Sequence, residues 1–267
     1  MLTGIVTMIV MLKSKEFHTL PYFIVANHCA VDIFSLTSVG YYVASAFISQ
    51  KVLNEHLERV MGFVGDYGWY TSGSFLILFA FTRMLKLHFT EASFRIITRR
   101  FIVLCSLSIY LLYALLCGTH LFSKTASVHS CMNFSTWCYD LDTDFGQLMD
   151  KFSYLYDIVC PLILITINAI TIHYVHKTGN LAIGNQLHRI SLRQKEIKLF
   201  AQCLIGSTFF CLTCLIYFLS NYVENTTCIL GVIMHINWVL NHANSPVVYF
   251  IFNGAIQQSI KKFLIRG

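Results

Sequence analysis

Charged side chains are scarce in this chain: Asp, Glu, Lys and Arg make up 12% of its 267 residues, where soluble domains carry roughly 25%. That shortage excludes an ordinary water-soluble domain, because apolar residues supply 56% of the chain and too little polar surface exists to cover them. With only three prolines and fourteen glycines, collagen-like and low-complexity chains are excluded as well. No internal repeat is present. Soluble catalytic signatures are also missing: there is no phosphate-cradling glycine loop, no zinc-binding HExxH and no serine-nucleophile elbow. These absences argue against an enzyme and against a resident cofactor or structural metal. The formal charge of +6 could suggest nucleic acid, yet the basic residues sit at the ends of apolar runs, which is a signal of membrane topology. Ten cysteines do not form a disulfide scaffold, since most lie inside those runs and behave as small hydrophobes. The CxxC at Cys211–Cys214 belongs to that class and reads as packing.

What the chain has in quantity is apolar sequence in membrane-sized lengths. A helix crossing a bilayer needs about 20 predominantly apolar residues, and six stretches meet that standard: Tyr22–Ile48, Tyr67–Leu87, Phe101–Phe122, Phe152–Val175, Ile197–Leu219 and Ile229–Phe252. The opening MLTGIVTMIVML is shorter; about 12 residues rise about 18 Å, short of a hydrocarbon core of about 30 Å. A signal peptide would place its basic residues before the apolar run and a cleavage site after it, whereas here the lysines follow the run and no such site is present. We read it as the inner half of a truncated first helix. The expectation is an all-α membrane protein: a seven-transmembrane helix bundle, first helix truncated, over residues 1–252. A short amphipathic eighth helix then occupies 253–267, where Ile256, Ile260, Phe263 and Leu264 share one face. An unstructured basic tail is the alternative for that segment.

Charge gives the orientation. With the start placed outside, inner segments hold Lys13, Lys15, Lys86, Arg95, Arg99, Arg100, Lys177, Arg189, Arg193, Lys195, Lys198, Lys261, Lys262 and Arg266. Outer segments hold only Lys51, Arg59, Lys124 and Lys151, amid eight acidic residues. That bias follows the positive-inside rule. The sequons NFS at Asn133 and NTT at Asn225 fall on loops already read as outer, the side where glycosylation occurs. The chain is therefore expected to have its N-terminus outside and its C-terminus in the cytoplasm.

Polar groups inside a bilayer are expensive and mark function. Asp32, mid-helix in NHCAVDIF, has two readings. One is a carboxyl held neutral by its neighbours or lining a structural water cavity. The other is a cation or proton site partnered by Asn27, Ser35 or polar groups of the seventh helix. Asn27 and Asp32 are five apart, so one is expected to tie helices together while the other lines a cavity. Arg83 lies near the inner end of the third helix, where it either snorkels to the headgroups or latches to a carboxylate on another helix. Glu196 is the natural partner, the only acid on the third inner loop or its flanks. Pro161 and Pro246 interrupt backbone hydrogen bonding and serve as hinge points; Asn241, Asn244 and Ser245 are placed to satisfy the carbonyls freed by Pro246. Asp157 is an acid about one turn before Pro161 inside an apolar run. Cys131 and Cys138, on the second outer loop, can bridge in that oxidising compartment, with Cys228 as a third candidate.

Together these residues resemble rhodopsin-like G-protein-coupled receptors. NHCAVD is similar to the helix-two signature NLAxAD, with Asn27 and Asp32 in register. TRM stands where DRY would, keeping Arg83 but with Thr82 for the acid. SPVVYFIFN resembles NPxxY and the asparagine that opens helix eight: Ser245 replaces the motif asparagine, while Pro246, Tyr249 and Asn253 match. KEIKLFAQ, leading to Phe210 fourteen residues after Glu196, is similar to the inner half of helix six. Departures are Cys214 and Ile216 in place of the CWxP tryptophan and proline, no tryptophan in helix four, and no cysteine opening helix three. With LRQKEIKLFAQ and W…H…VVYFIFN, the chain is most similar to nematode serpentine chemoreceptors, class X.

The resemblance implies a plasma-membrane chemosensory receptor of the olfactory kind that binds an extracellular small molecule and activates a heterotrimeric G protein. It implies a sodium or proton cavity at Asp32, an Arg83 that meets the G protein or Glu196, and a rearrangement at Pro246 and Tyr249. Ligand would enter between helices three, five, six and seven, at Trp69, Tyr70, Asp157, Tyr217, Asn221, His235 and Trp238. Two other readings stand beside it. One is a transporter or channel using Asp32, Asp157 and Arg83 as a charge relay, against which the lack of repeats weighs. The other is a truncated, non-functional receptor-like protein.

Overall fold

The computed structural model describes residues 2–13, 19–49, 54–88, 97–122, 128–131, 136–179, 187–220, 228–254, 256–259 and 261. The expected sequon residues Asn133 and Asn225, the candidate Asn221, and most of the amphipathic face expected in 253–267 lie outside the described residues. So do the side chains of Cys131 and Cys228.

Helices dominate. They are α1 (Leu2–Lys13), α2 (Leu20–Ser49), α3 (Glu55–His88), α4 (Arg99–Phe122), α5 (Asp144–Gly179), α6 (Leu187–Ser220) and α7 (Cys228–Phe252). A hairpin of β1 (Val128–Cys131) and β2 (Thr136–Tyr139) separates α4 from α5, with His129 opposite Cys138. Among the described residues, four helices are long and apolar enough to cross a membrane: Leu20–Ser49, Arg99–Leu121, Asp144–Lys177 and Glu196–Ser220.

Local chemistry sets the helix starts. Pro21 occupies the first turn of α2, where its missing N–H costs nothing. Asn54 Oδ1 accepts from the backbone N–H of His56 at 2.9 Å and of Leu57 at 3.2 Å, capping α3, whose first turn carries Glu55 and Glu58. Thr98 Oγ1 caps α4 through the Phe101 N–H at 3.2 Å. These caps place helix ends well beyond the apolar cores. α3 begins twelve residues before the expected Tyr67, and α5 begins eight residues before the expected Phe152.

The packing explains why α3 escaped the apolar-run criterion over its outer half. It packs against α2, α4, α5 and α6, so it has protein on most sides and little lipid to face. Its composition is accordingly small and polar: Gly62, Gly65, Gly68, Gly73, Thr71 and Ser72 are all buried. Small residues let helices approach closely inside a membrane. A Cβ at Gly68 would overlap the Ser35 side chain of α2, and one at Gly73 would overlap the Tyr156 hydroxyl and the Phe210 ring. α1 and α2 both pack on α7, which also meets α6. Within α2, residues Thr37–Val43 form a π-helical segment, a widening that is often retained at functional sites. The hairpin packs on α3, α5 and α7, with buried Trp137 stacked on Tyr42 of that segment at 5.6 Å.

The distribution of polarity is inverted relative to a soluble protein. Leu104, Leu107, Leu111, Leu112 and Leu115 face outward from α4, while Asp32, Arg83, His242 and Asn241 are buried. Only a lipid exterior makes that arrangement stable.

Candidate functional site: a polar column through the bundle

α3 carries the column. Trp69, Ser72, Phe79 and Arg83 succeed one another along it, and fourteen residues of helix span about 21 Å.

At one end, Trp69 donates its indole N–H to Asp157 Oδ1 of α5 at 3.0 Å, and the Cys214 thiol of α6 lies 3.9 Å from the same oxygen. Trp69 meets Trp238 of α7 edge-on at 5.7 Å and Tyr217 of α6 at 6.5 Å; Tyr217 and Trp238 are 5.8 Å apart. Phe210 stacks beneath Trp69 at 4.8 Å. Four of the expected ligand residues, Trp69, Asp157, Tyr217 and Trp238, are thus brought together. Tyr70 turns to a different face, against Tyr113, Phe152 and Tyr156, with its hydroxyl 2.9 Å from that of Tyr139. His235 is half-buried on α7 beside Val39 of the π-helical segment.

In the middle stands Asp32. His242 Nδ1 is 2.8 Å from its Oδ1, the Ser72 hydroxyl donates to the same oxygen at 3.1 Å, and His28 Nε2 is 2.9 Å from Ser72 Oγ. The Trp238 indole N–H donates to His242 Nε2 at 3.0 Å. An indole can only donate, so His242 Nε2 is bare and Nδ1 carries the proton to Asp32. Ser72 spends its hydrogen on Asp32, so His28 Nε2 is the donor to Ser72. Every hydrogen points toward Asp32. Among the described residues its Oδ2 has no hydrogen bond, although His28 Nε2 lies 3.7 Å away, and the buried Ser35 Oγ one turn along is also without a partner. These two oxygens fit the hard-oxygen donor type a sodium ion takes. Trp69 touches His242 edge-on at 6.2 Å, which joins the aromatic box to this network. Asn27 points elsewhere, accepting from the Tyr110 hydroxyl at 2.9 Å and so tying α2 to α4.

At the opposite end Arg83 is buried and paired with Glu196 of α6; Lys86 Nζ lies 3.9 Å from the other Glu196 oxygen. It does not snorkel. Thr82, at the motif's acidic position, returns its hydroxyl to the Phe79 carbonyl at 2.9 Å, so Glu196 is the carboxylate that meets Arg83. The guanidinium sits over Phe79 at 5.4 Å, and Tyr249 meets Phe79 edge-on at 6.5 Å. Pro246 is buried against α1, where a Cβ at Gly4 would lie 3.2 Å from its ring. Among the described residues, the Asn244 amide nitrogen has no hydrogen-bond partner. The helix continues through the proline. Asn253 accepts from the Ile256 N–H at 3.3 Å, capping the helical residues 256–259, and donates to the Tyr22 hydroxyl at 2.8 Å.

Outside the column, His120 of α4 lies 3.2 Å from Asp66 of α3. Cys138 is disulfide-bonded, while Cys29, Cys105, Cys117, Cys160, Cys203, Cys211 and Cys214 are free. Burial, with Asp66 adding to it, pushes the Tyr139 phenol well above its ordinary range. The residues that sequence reasoning missed are His28, Ser72 and His242. One clue was available: His28 precedes Asp32 by one helical turn, within NHCAVD.

The arrangement is that of a rhodopsin-like receptor bundle. The crystal structure of squid rhodopsin matches with a TM-score of 0.78 at 14% identity, over 97% of this chain and 79% of that one. The profile of the serpentine type 7TM GPCR chemoreceptor family Srt matches residues 1–267, and the chain belongs to that family. The family is thus Srt, and the class X suggested by the helix-six and helix-seven stretches is not supported. Family and fold are those of multi-pass membrane receptors, not enzymes. No match was found among curated proteins.

Proposed function

We propose that this chain is a chemosensory receptor that binds an extracellular small molecule and activates a heterotrimeric G protein. In this reading seven helices cross the membrane, the start faces outward, and 253–267 lies along the cytoplasmic leaflet. The observation that carries it is the pairing of buried Arg83 with the partly exposed Glu196, at one end of a connected column whose other end is an aromatic box. Trp69 touches Phe210 on α6 and both Trp238 and His242 on α7. A ligand that displaces Trp69 therefore changes the seat of two helices at once. Phe210 and Glu196 are fourteen residues apart on α6, about 21 Å along its axis. Tilting α6 about its packed middle would part Glu196 from Arg83 and expose the guanidinium to a cytoplasmic partner. A sodium ion, where bound, would be held by Asp32 and Ser35 and would supply positive charge that favours the closed arrangement.

The test is agonist-dependent guanine-nucleotide exchange on the purified, reconstituted chain, run beside solute flux in the same proteoliposomes. Exchange without flux supports the receptor; flux without exchange replaces it with a transporter or channel.

A further inference from the structure

We propose that the ligand is a small organic cation, a protonated or quaternary amine, whose head is held by Asp157 within the box of Trp69, Tyr217 and Trp238. This rests on the receptor reading above.

Asp157 is unlike the other acids at depth in this bundle. Asp32 has His242 at 2.8 Å, Asp66 has His120 at 3.2 Å, and Glu196 has Arg83. Each brings its own resident base. Among the described residues, no Lys, Arg or His nitrogen lies within 4 Å of Asp157. What it does have is one indole N–H and one thiol, both on Oδ1. A carboxylate taken out of water without a counter-ion is costly, and a purely structural position facing Trp69 would be served by a neutral acceptor such as Asn or Gln. A carboxyl with no resident base beside it is open to a positive group brought by a ligand, which would hold it ionised.

The surroundings specify what kind of positive group. Three rings from three different helices, α3, α6 and α7, meet with centroids 5.7, 5.8 and 6.5 Å apart, and one of them, Trp69, is bonded to the acid from α5. Aromatic faces attract cations and do so best where water is excluded. Trp69 belongs to both halves of the site, since its N–H fixes the carboxylate and its ring forms a wall. An anionic ligand would be repelled by Asp157, and a neutral one would leave it unpaired. A strongly hydrated metal ion is also disfavoured, because the rings offer it no oxygen donors. An alkylammonium head, weakly hydrated and apolar at its rim, matches both walls.

The experiment is a binding titration on the full-length chain in detergent, read by tryptophan fluorescence, because two of the three tryptophans line the box. Choline and its neutral isostere 3,3-dimethylbutan-1-ol serve as the matched probes, followed by a panel of primary and quaternary amines. We expect saturable quenching by one or more of the cations, none by the neutral isostere, and an affinity loss of about thirtyfold in Asp157→Asn with Asp157→Glu retaining binding. Should Asp157→Asn fail to fold, Tyr217→Leu, which removes one ring and keeps the acid, is expected to weaken the same cation about fivefold. Equal binding of the neutral isostere, unchanged affinity in Asp157→Asn, or no amine in the panel binding the native chain overturns the proposal. Fluorescence reports binding alone, so a cation that binds without driving nucleotide exchange leaves this site standing and removes the receptor reading.

Discussion

A buried charge in this bundle is only as stable as the partner left beside it, and this decides what each substitution does. Arg83→Ala leaves Glu196 near Lys86 at 3.9 Å and about a quarter exposed, so no charge is stranded. Surface expression should survive, while agonist-driven nucleotide exchange falls at least about tenfold; normal exchange at normal expression ends the latch idea. The reverse change, Glu196→Ala, strands a guanidinium that is 1% exposed. Breaking a buried pair that way costs about 3–5 kcal/mol, reduced here because Glu196 is partly solvated, so we expect lower expression together with raised basal exchange. Asp32→Asn is different again. An amide oxygen still accepts from His242 and Ser72, and the new NH₂ replaces an oxygen that has no hydrogen bond. Thermal stability should hold or rise, whereas dependence of the response on sodium or pH should vanish; unchanged dose–response curves across both would assign Asp32 a purely structural role. Asp32 and Arg83 were legible in the sequence because a charge in an apolar run stands out, and Glu196 because it is the only acid near the third inner loop. His28, Ser72 and His242 were not, because a histidine or serine there is ambiguous until the facing helix is known.

At the scale of the element, legibility followed lipid exposure. α2, α4, α5 and α6 read clearly as apolar runs, since their outer faces must match hydrocarbon. The outer half of α3 did not, because a helix enclosed by four neighbours is selected for close approach and polar networks instead. The glycines of α3 record that constraint. A methyl group at Gly73 would press on the Tyr156 hydroxyl, which donates to the Tyr70 carbonyl at 2.8 Å, and on the Phe210 ring of α6. Both groups are rigid and neither can yield cheaply. Gly73→Ala should therefore cost about 1–3 kcal/mol in stability, read as a lower melting temperature of the purified protein. It should also disturb the α3–α6 contact on which Phe210 relies. A melting temperature equal to the native one would mean that α6 can shift outward freely, and the packing argument for a coupled α3–α6 unit would fail.

For the molecule as a whole, orientation rests on two independent features of the sequence that the helical packing does not itself decide. One is energetic: Lys and Arg gather on one side of the apolar spans and acids on the other. The other is covalent chemistry that occurs on one side of the membrane only: the sequons at Asn133 and Asn225. The hairpin packs on α3, α5 and α7, while Arg83, Lys86 and Glu196 gather at the end of α3 away from Asp66 and Glu58. A chain inserted the other way would leave the Arg83 end outside and the hairpin in the cytosol, with the disulfide at Cys138 in a reducing compartment. We therefore expect the native protein expressed in animal cells to shift in mobility on deglycosylation, Asn133→Gln and Asn225→Gln each to remove part of that shift, and an epitope placed after Gly267 to be reached by antibody only in permeabilised cells. Detection of that epitope on intact cells, or a chain that carries no glycan in either sequon, would reverse the topology. It would also separate the Asp157 box from any extracellular ligand and place the Arg83–Glu196 pair where no G protein could read it.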